Sequence, residues 1–141
     1  AKYLYYDLKE YELAIADFAT VISLQPELPE AWYSSAYAKY ELKDYQNAIA
    51  DFSQAIELNP SDAYNFQSRG VNFTLSRDFD SAIADLSHAI QIMPNNAGHH
   101  YLRAQAYFEW GKYEQALVDY SIAIELKPMN KNYLEIRFSL C

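Results

Sequence analysis

Three histidines, one cysteine and two regularly spaced sets of charged residues are what this 141-residue chain offers to chemistry. His99 and His100 are adjacent, and His88 stands apart from them. Neighbours on a helix point about 100° apart, so the pair cannot hold one metal without a third ligand, and none is spaced to supply it. No repeat logic sets a histidine beside a serine or threonine. Gly70, Gly98 and Gly111 are the only glycines, too few and too scattered for a phosphate-cradling loop. Cys141 has no basic neighbour nearer than Arg137 to activate its thiol. The expectation is a chain with no catalytic residue, metal site or cofactor, and so not an enzyme.

The charged sets are more regular. Asp17, Asp51, Asp85 and Asp119 recur at a step of 34 residues, and Arg69, Arg103 and Arg137 keep the same step. A guanidinium is a planar fork that matches a carboxylate, so a structural ladder is expected rather than a row of anion-binding arginines. By helical angle, each aspartate is expected to meet the helix that follows it: Asp51 with Arg69, Asp85 with Arg103, Asp119 with Arg137, and Asp17 with Ser35. The competing assignment keeps aspartate and arginine in one repeating unit, Arg69 with Asp85.

The elements that must position these residues are written most plainly in residues 44–60. There Tyr45, Ala48, Ile49, Phe52, Ala55, Ile56 and Leu58 fall at spacings that make one stripe of an α-helix, which Pro60 then stops. The stripe recurs from Tyr11 to Leu24, from Phe79 to Ile92 and from Tyr113 to Leu126, before Pro26, Pro94 and Pro128. This is an internal repeat of helix pairs. Residues 1–8 read as the end of a first helix, and Lys9 and Glu10 as the turn into the next. Pro29 suits a first helical turn, and Asp44, Asp62 and Asn96 suit N-caps. Gly111 supplies a left-handed turn residue where the earlier turns have Lys9, Lys43 and Arg77.

A period of 34 with two helices per unit resembles the tetratricopeptide repeat. The resemblance implies an all-α fold, a right-handed α-solenoid of antiparallel helix pairs. It implies one domain over 1–141, with a partial repeat at 1–28, full repeats at 29–62, 63–96 and 97–130, and the start of a further or capping helix at 131–141. The bulky fourth position of the first helix is Trp32, Phe66 and His100, the histidine being expected to pack less well. The small eighth position is Ala36, Gly70 and Ala104, which lets the second helix come close at Ala48, Ala82 and Ala116.

In this family one face of the first helix lines a concave groove. Here that face carries Tyr3, Tyr33, Tyr37, Tyr40, Tyr64, Tyr101 and Phe108, with Glu41 and Glu109, and no lysine or arginine. Tyrosine is enriched in interface hot spots, so this face is expected to bind a protein or peptide. Tyr37 and Tyr101 are expected to be its most exposed rings, and Tyr40 and Phe108 to pack between neighbouring helices. The family's two-carboxylate clamp for chaperone tails is absent: its places hold Tyr33, Tyr37, Ser68, Gly98 and Leu102.

Composition sharpens the partner. Nineteen acidic against 11 basic residues give a net charge of −8. That disfavours nucleic acid and anionic membrane surfaces and favours a partner with basic and apolar residues. No apolar run spans a bilayer, and a lone cysteine is the usage expected of an intracellular protein. The chain opens without methionine part-way through a helix and stops part-way through another, which reads as a segment of a longer protein. The leading expectation is an interaction module whose groove binds a peptide or helical segment. The alternative is a structural spacer or scaffold array that self-associates through its end helices.

Overall fold

The computed structural model describes residues 2–127, with side chains from Leu8 onward. Seven α-helices follow one another: α1 (Lys2–Leu24), α2 (Pro29–Glu41), α3 (Tyr45–Leu58), α4 (Ala63–Leu75), α5 (Phe79–Ile92), α6 (Ala97–Glu109) and α7 (Tyr113–Leu126). No strand occurs among the described residues, and none of these helices is long and apolar enough to cross a membrane. Contacts are densest within the hairpins α2/α3, α4/α5 and α6/α7, and each hairpin then leans on the next. The result is an all-α solenoid.

Local chemistry explains where the helices stop. Pro29 opens α2. Asp62 accepts from the backbone N–H of Tyr64 at 3.0 Å, and Asn96 from that of His99 at 3.2 Å. Asp44 precedes α3 but does not cap it; its carboxylate accepts from the Asn47 side chain instead. The three hairpin turns place Lys43, Arg77 and Gly111 at φ 63°, 64° and 85°. Lys9 departs from that expectation. It lies inside α1, which runs on through Lys9 and Glu10 without a turn. Lys43 and Arg77 take positive φ where Ser35, Lys39 and Asp51, or Arg69 and Asp85, tie the flanking helices together; no such tie spans Lys9 among the described residues, so local helix propensity prevails.

The core is a string of small clusters. Ala36, Ala48 and Phe52 close the first hairpin; Ala82 and Leu86 meet Ala106 of the next; Ala104, Ala116 and Tyr120 close the last. The flanks of the expected stripes are more open. Leu24, Leu58 and Leu126 are exposed, as are Tyr113 and Leu117. Residues 128–141, with Arg137 and the expected closing helix, lie outside the described residues.

At Gly70, α4 lies close against α5. A Cβ there would sit 2.8 Å from Leu86 Cγ, in a core where Leu86 is fully buried. Gly70→Ala is expected to lower the unfolding free energy by about 1–3 kcal/mol, the usual scale for overpacking. Denaturant unfolding of Gly70→Ala, Leu86→Ala and the double variant checks it: the two costs should be less than additive, because a smaller residue 86 admits the new methyl.

Candidate interaction groove

Charged residues set the hairpins before any groove can form. Arg69 donates from Nε and Nη2 to both carboxylate oxygens of Asp85, each at 2.7 Å. Arg103 makes the same fork with Asp119, at 2.7 and 2.8 Å. In the first full hairpin Asp51 accepts from Ser35 Oγ and Lys39 Nζ, both at 2.7 Å. These pairings are all within one hairpin. They overturn the expected pairings of Asp51 with Arg69, Asp85 with Arg103 and Ser35 with Asp17; Asp17 is exposed. Arg137, expected to meet Asp119, lies outside the described residues, and Arg103 already occupies both oxygens of Asp119.

The physical reason is azimuth. Each pair lies eight residues on either side of Lys43, Arg77 or Gly111, so the partners stand at equal height on antiparallel helices. Asp51 and Arg69 are equally matched in height about Pro60, so height alone could not decide. The residue that does face the next hairpin is the serine two places on. Arg69 Nη1 donates to Ser53 Oγ, and Arg103 Nη1 to Ser87 Oγ, each at 3.1 Å. Residues two apart on a helix point about 200° apart, which is how Asp-X-Ser serves two neighbours. That serine was the signal in the sequence, and it was missed.

Two of the histidines are structural. His100 is buried, and its Nε2 lies 3.0 Å from the Pro94 carbonyl. Trp32 Nε1 donates to Pro26 O in the same way at 2.8 Å. His100 therefore replaces the tryptophan rather than loosening the packing. Because a carbonyl only accepts, Nε2 carries the proton. His99 is completely buried, edge-on to Tyr64 with ring centroids 5.6 Å apart, and neither of its nitrogens has a hydrogen-bond partner. Burial, with the neighbouring His100, pushes its pKa below the usual 6.5.

The concave face divides into exposed and packed rings. Tyr37, Tyr64 and Phe108 are 45, 47 and 40% exposed. Tyr33 is half-buried, edge-on to Phe52 at 5.5 Å, and Tyr40 lies beside Tyr37 and Tyr45. Tyr101 is also half-buried, tilted against Tyr120 at 5.8 Å and accepting from Gln105 Nε2 at 3.2 Å. Its expected role as a freely exposed ring is thus corrected. So is the expected packing of Phe108 between neighbouring helices, since Phe108 leans outward onto Tyr113. The side chain of Tyr3 lies outside the described ones. Glu41 is half-buried and hydrogen-bonded to the Tyr37 hydroxyl, a contact that raises the phenol's pKa. Burial pushes the Tyr120 phenol further, up to about 12.

Three clefts run along this face. One of about 400 Å³ is lined by Tyr33 and Tyr64 with Glu30 and Asp62. A second, about 290 Å³, lies among Tyr33, Tyr37, Tyr40 and Val71. A third, about 340 Å³, lies among Val71, Leu75 and Leu102. The third also contains Arg77, 3.9 Å from Glu109. That cation corrects the expectation of a face without lysine or arginine: the left-handed turn swings Arg77 onto it.

Comparison with known proteins agrees with this architecture. The chain matches the tetratricopeptide repeat family over residues 29–62 and 99–130, and a second family of the same description over 3–28. No match was found among curated proteins. Among solved structures, a crystal structure of MamA superposes with a TM-score of 0.87 at 18% identity, covering 94% of this chain and 77% of that one. The first TPR of Spaghetti (RPAP3), bound to an HSP90 peptide, gives 0.75 at 19% identity, covering 79% and 89%. The Arabidopsis OM64 TPR domain gives 0.74 at 27% identity, covering 79% and 93%.

Two measurements check the buried charges. Arg103→Ala leaves Asp119, 2% exposed at its side chain, without its fork, and is expected to cost about 3–5 kcal/mol. Asp119→Ala combined with it should recover part of that loss in a double-mutant cycle. His99 gives the second. Its folded pKa is lowered, so below pH 6.5 the unfolded chain takes up a proton that the fold refuses. Stability should therefore fall as pH drops through 6.5 towards the folded value, and His99→Leu should flatten that dependence in denaturant titrations.

Proposed function

The chain belongs to the tetratricopeptide repeat family, and from that premise we propose that it binds a peptide or helical segment along the concave face. Repeats of this family form protein-interaction modules; the partner's chemistry is the new part. The observation that carries the reading is Tyr37 and Tyr64, rings 45 and 47% exposed that line two clefts sharing Tyr33, with Glu30 and Asp62 beside Tyr64. Large exposed apolar area on a concave surface marks an interaction site. The acidic side chains of that face and the net charge of −8 favour a basic, partly apolar segment. We read 29–62, 63–96 and 97–130 as the complete repeats of one domain that presents this face.

The peptide held by the RPAP3 structure does not transfer directly. The positions of the two-carboxylate clamp hold Tyr33, Tyr37, Ser68, Gly98 and Leu102, none of which can pair with a carboxylate by charge. Self-association as a scaffold is the competing outcome, and solution mass on dilution separates it from groove binding by a monomer.

Peptides selected by display on the 141-residue chain test the groove. Tyr37→Ala and Tyr64→Ala are each expected to weaken the selected peptides by about 2 kcal/mol, the scale of a hot-spot tyrosine. Both should leave stability within about 0.5 kcal/mol, since the rings are exposed. Tyr101→Ala should instead lower stability by about 1–3 kcal/mol through lost packing. Gln54→Ala on the convex side should change neither. Selected peptides that bind both tyrosine variants normally would sink the reading.

A further inference from the structure

Along the 34-residue step, Asn72 is out of place. Ala38 and Ala106 hold the equivalent positions in α2 and α6, and both are buried. Asn72 is only 1% exposed. Its Nδ2 donates to the Ser68 carbonyl at 2.8 Å, one turn back in α4. A carbonyl can only accept, so that bond fixes which end of the amide is nitrogen. Oδ1 is then left buried with no hydrogen-bond partner. An unpaired buried acceptor destabilises a fold, and alanine would avoid the cost.

The residue lies where a ligand could use it. Asn72 lines the 290 Å³ cleft that Tyr33, Tyr37, Tyr40 and Val71 also line. No lysine, arginine or histidine lines that cleft. What it offers is π faces, a buried amide oxygen and, at its edge, the Glu41 carboxylate that meets the Tyr37 hydroxyl. Gln67 and Ser68 line it too and can donate or accept, so it is the unpartnered Asn72 oxygen that asks for a donor, while Phe52, Val71 and Leu102 ask for an apolar stem.

We propose that this cleft is the anchor site for one lysine side chain of the bound segment. Its methylene stem lies along Val71 and the tyrosine rings, and its ammonium donates to Asn72 Oδ1. The proposal rests on the reading of the concave face as a peptide groove. Three physical points select lysine. Cation–π attraction to tyrosine adds to the pull of an acidic chain. A single buried acceptor suits a compact ammonium, whereas the guanidinium fork is matched by two acceptors side by side. A leucine or methionine would fill the cleft yet leave Oδ1 unpaired and still further from water, so the amide discriminates against an apolar anchor.

The test uses blocked amino acids on the 141-residue chain, followed by NMR. Nα-acetyl-lysine methylamide is expected to shift the Asn72 side-chain amide and Val71 methyl signals saturably. The norleucine counterpart, with the same stem and no charge, should bind at least tenfold more weakly, and the arginine counterpart more weakly than lysine. Asn72→Ala should melt no lower than the parent chain and lose the tenfold preference. Equal binding of lysine and norleucine overturns the proposal. So does a preference that survives in Asn72→Ala, or an Asn72→Ala chain that melts lower or fails to fold, since the amide would then be structural. Display-selected peptides that need Tyr37 and Tyr64 but tolerate loss of every lysine would remove the anchor and leave the groove standing. Peptides that need neither would remove the groove itself.

Discussion

The interaction on which this array depends is a guanidinium held from two sides. Arg103 grips Asp119 of its own hairpin through a two-pronged fork and Ser87 of the preceding hairpin through its remaining nitrogen. Arg69 does the same between Asp85 and Ser53. One side chain thereby sets both the pairing of two helices and the offset of the next pair. Burying an ion pair adds little net stability, because desolvation consumes most of the attraction. Its value lies in discrimination: a hairpin that slips by one turn leaves a carboxylate that is almost dry without its partner.

The first hairpin shows what happens when that device is divided. Ser35 and Lys39 both donate to Asp51 Oδ2, so one carboxylate oxygen is held by two side chains instead of two oxygens by one fork. Neither reaches back to α1, where Ala19 stands in place of the serine found at 53 and 87. Arginine and serine thus occur together and are missing together. From α3 onward the hairpins are tied by polar contacts, whereas in α1 Asp17, Ala19 and Leu24 are all exposed. A helix without that tie has only local propensity to follow at Lys9, and local propensity favours continuing.

Much of the fold was legible because the repeat multiplies weak signals. The prolines, the small residues at Ala36, Gly70 and Ala104, and the caps at Asp62 and Asn96 each say little once and much at a constant step. What resisted was direction. Helical height left Arg69 equally able to meet Asp51 or Asp85, and only the position of Ser53 breaks the tie. The groove face resisted for a related reason. A tyrosine ring stands far enough from its Cα to choose between solvent and a neighbouring helix, so Tyr37 and Tyr101 share a face and differ in burial. Their partners decide it: Tyr101 has Tyr120 behind it, and Tyr37 has Glu41 beside it, which holds the hydroxyl at the rim.

The distribution of buried polar groups carries the argument one step further. Inside the hairpins the closest approaches are made by alanine, glycine and leucine, with Ala48, Ala82, Leu86 and Ala116 fully buried. Around α4 the buried side chains include Asn65 and Asn72, and His99 of α6 lies against Tyr64. An apolar seam is stabilised by close contact alone, and its tightness is felt to a single methyl. A seam with amides and an imidazole is stabilised only where each polar atom finds a partner, and Asn72 Oδ1 and both His99 nitrogens have none. Stability in this solenoid therefore concentrates within hairpins, and the unpartnered buried polar atoms among the described residues lie at the C-terminal half of α4 and the N-terminal half of α6. All three clefts are lined in part by α4. Asn72 Oδ1 and the His99 nitrogens, buried without partners among the described residues, are atoms that alanine or leucine would not carry, so the seam around α4 gives up stability that the hairpin interiors keep.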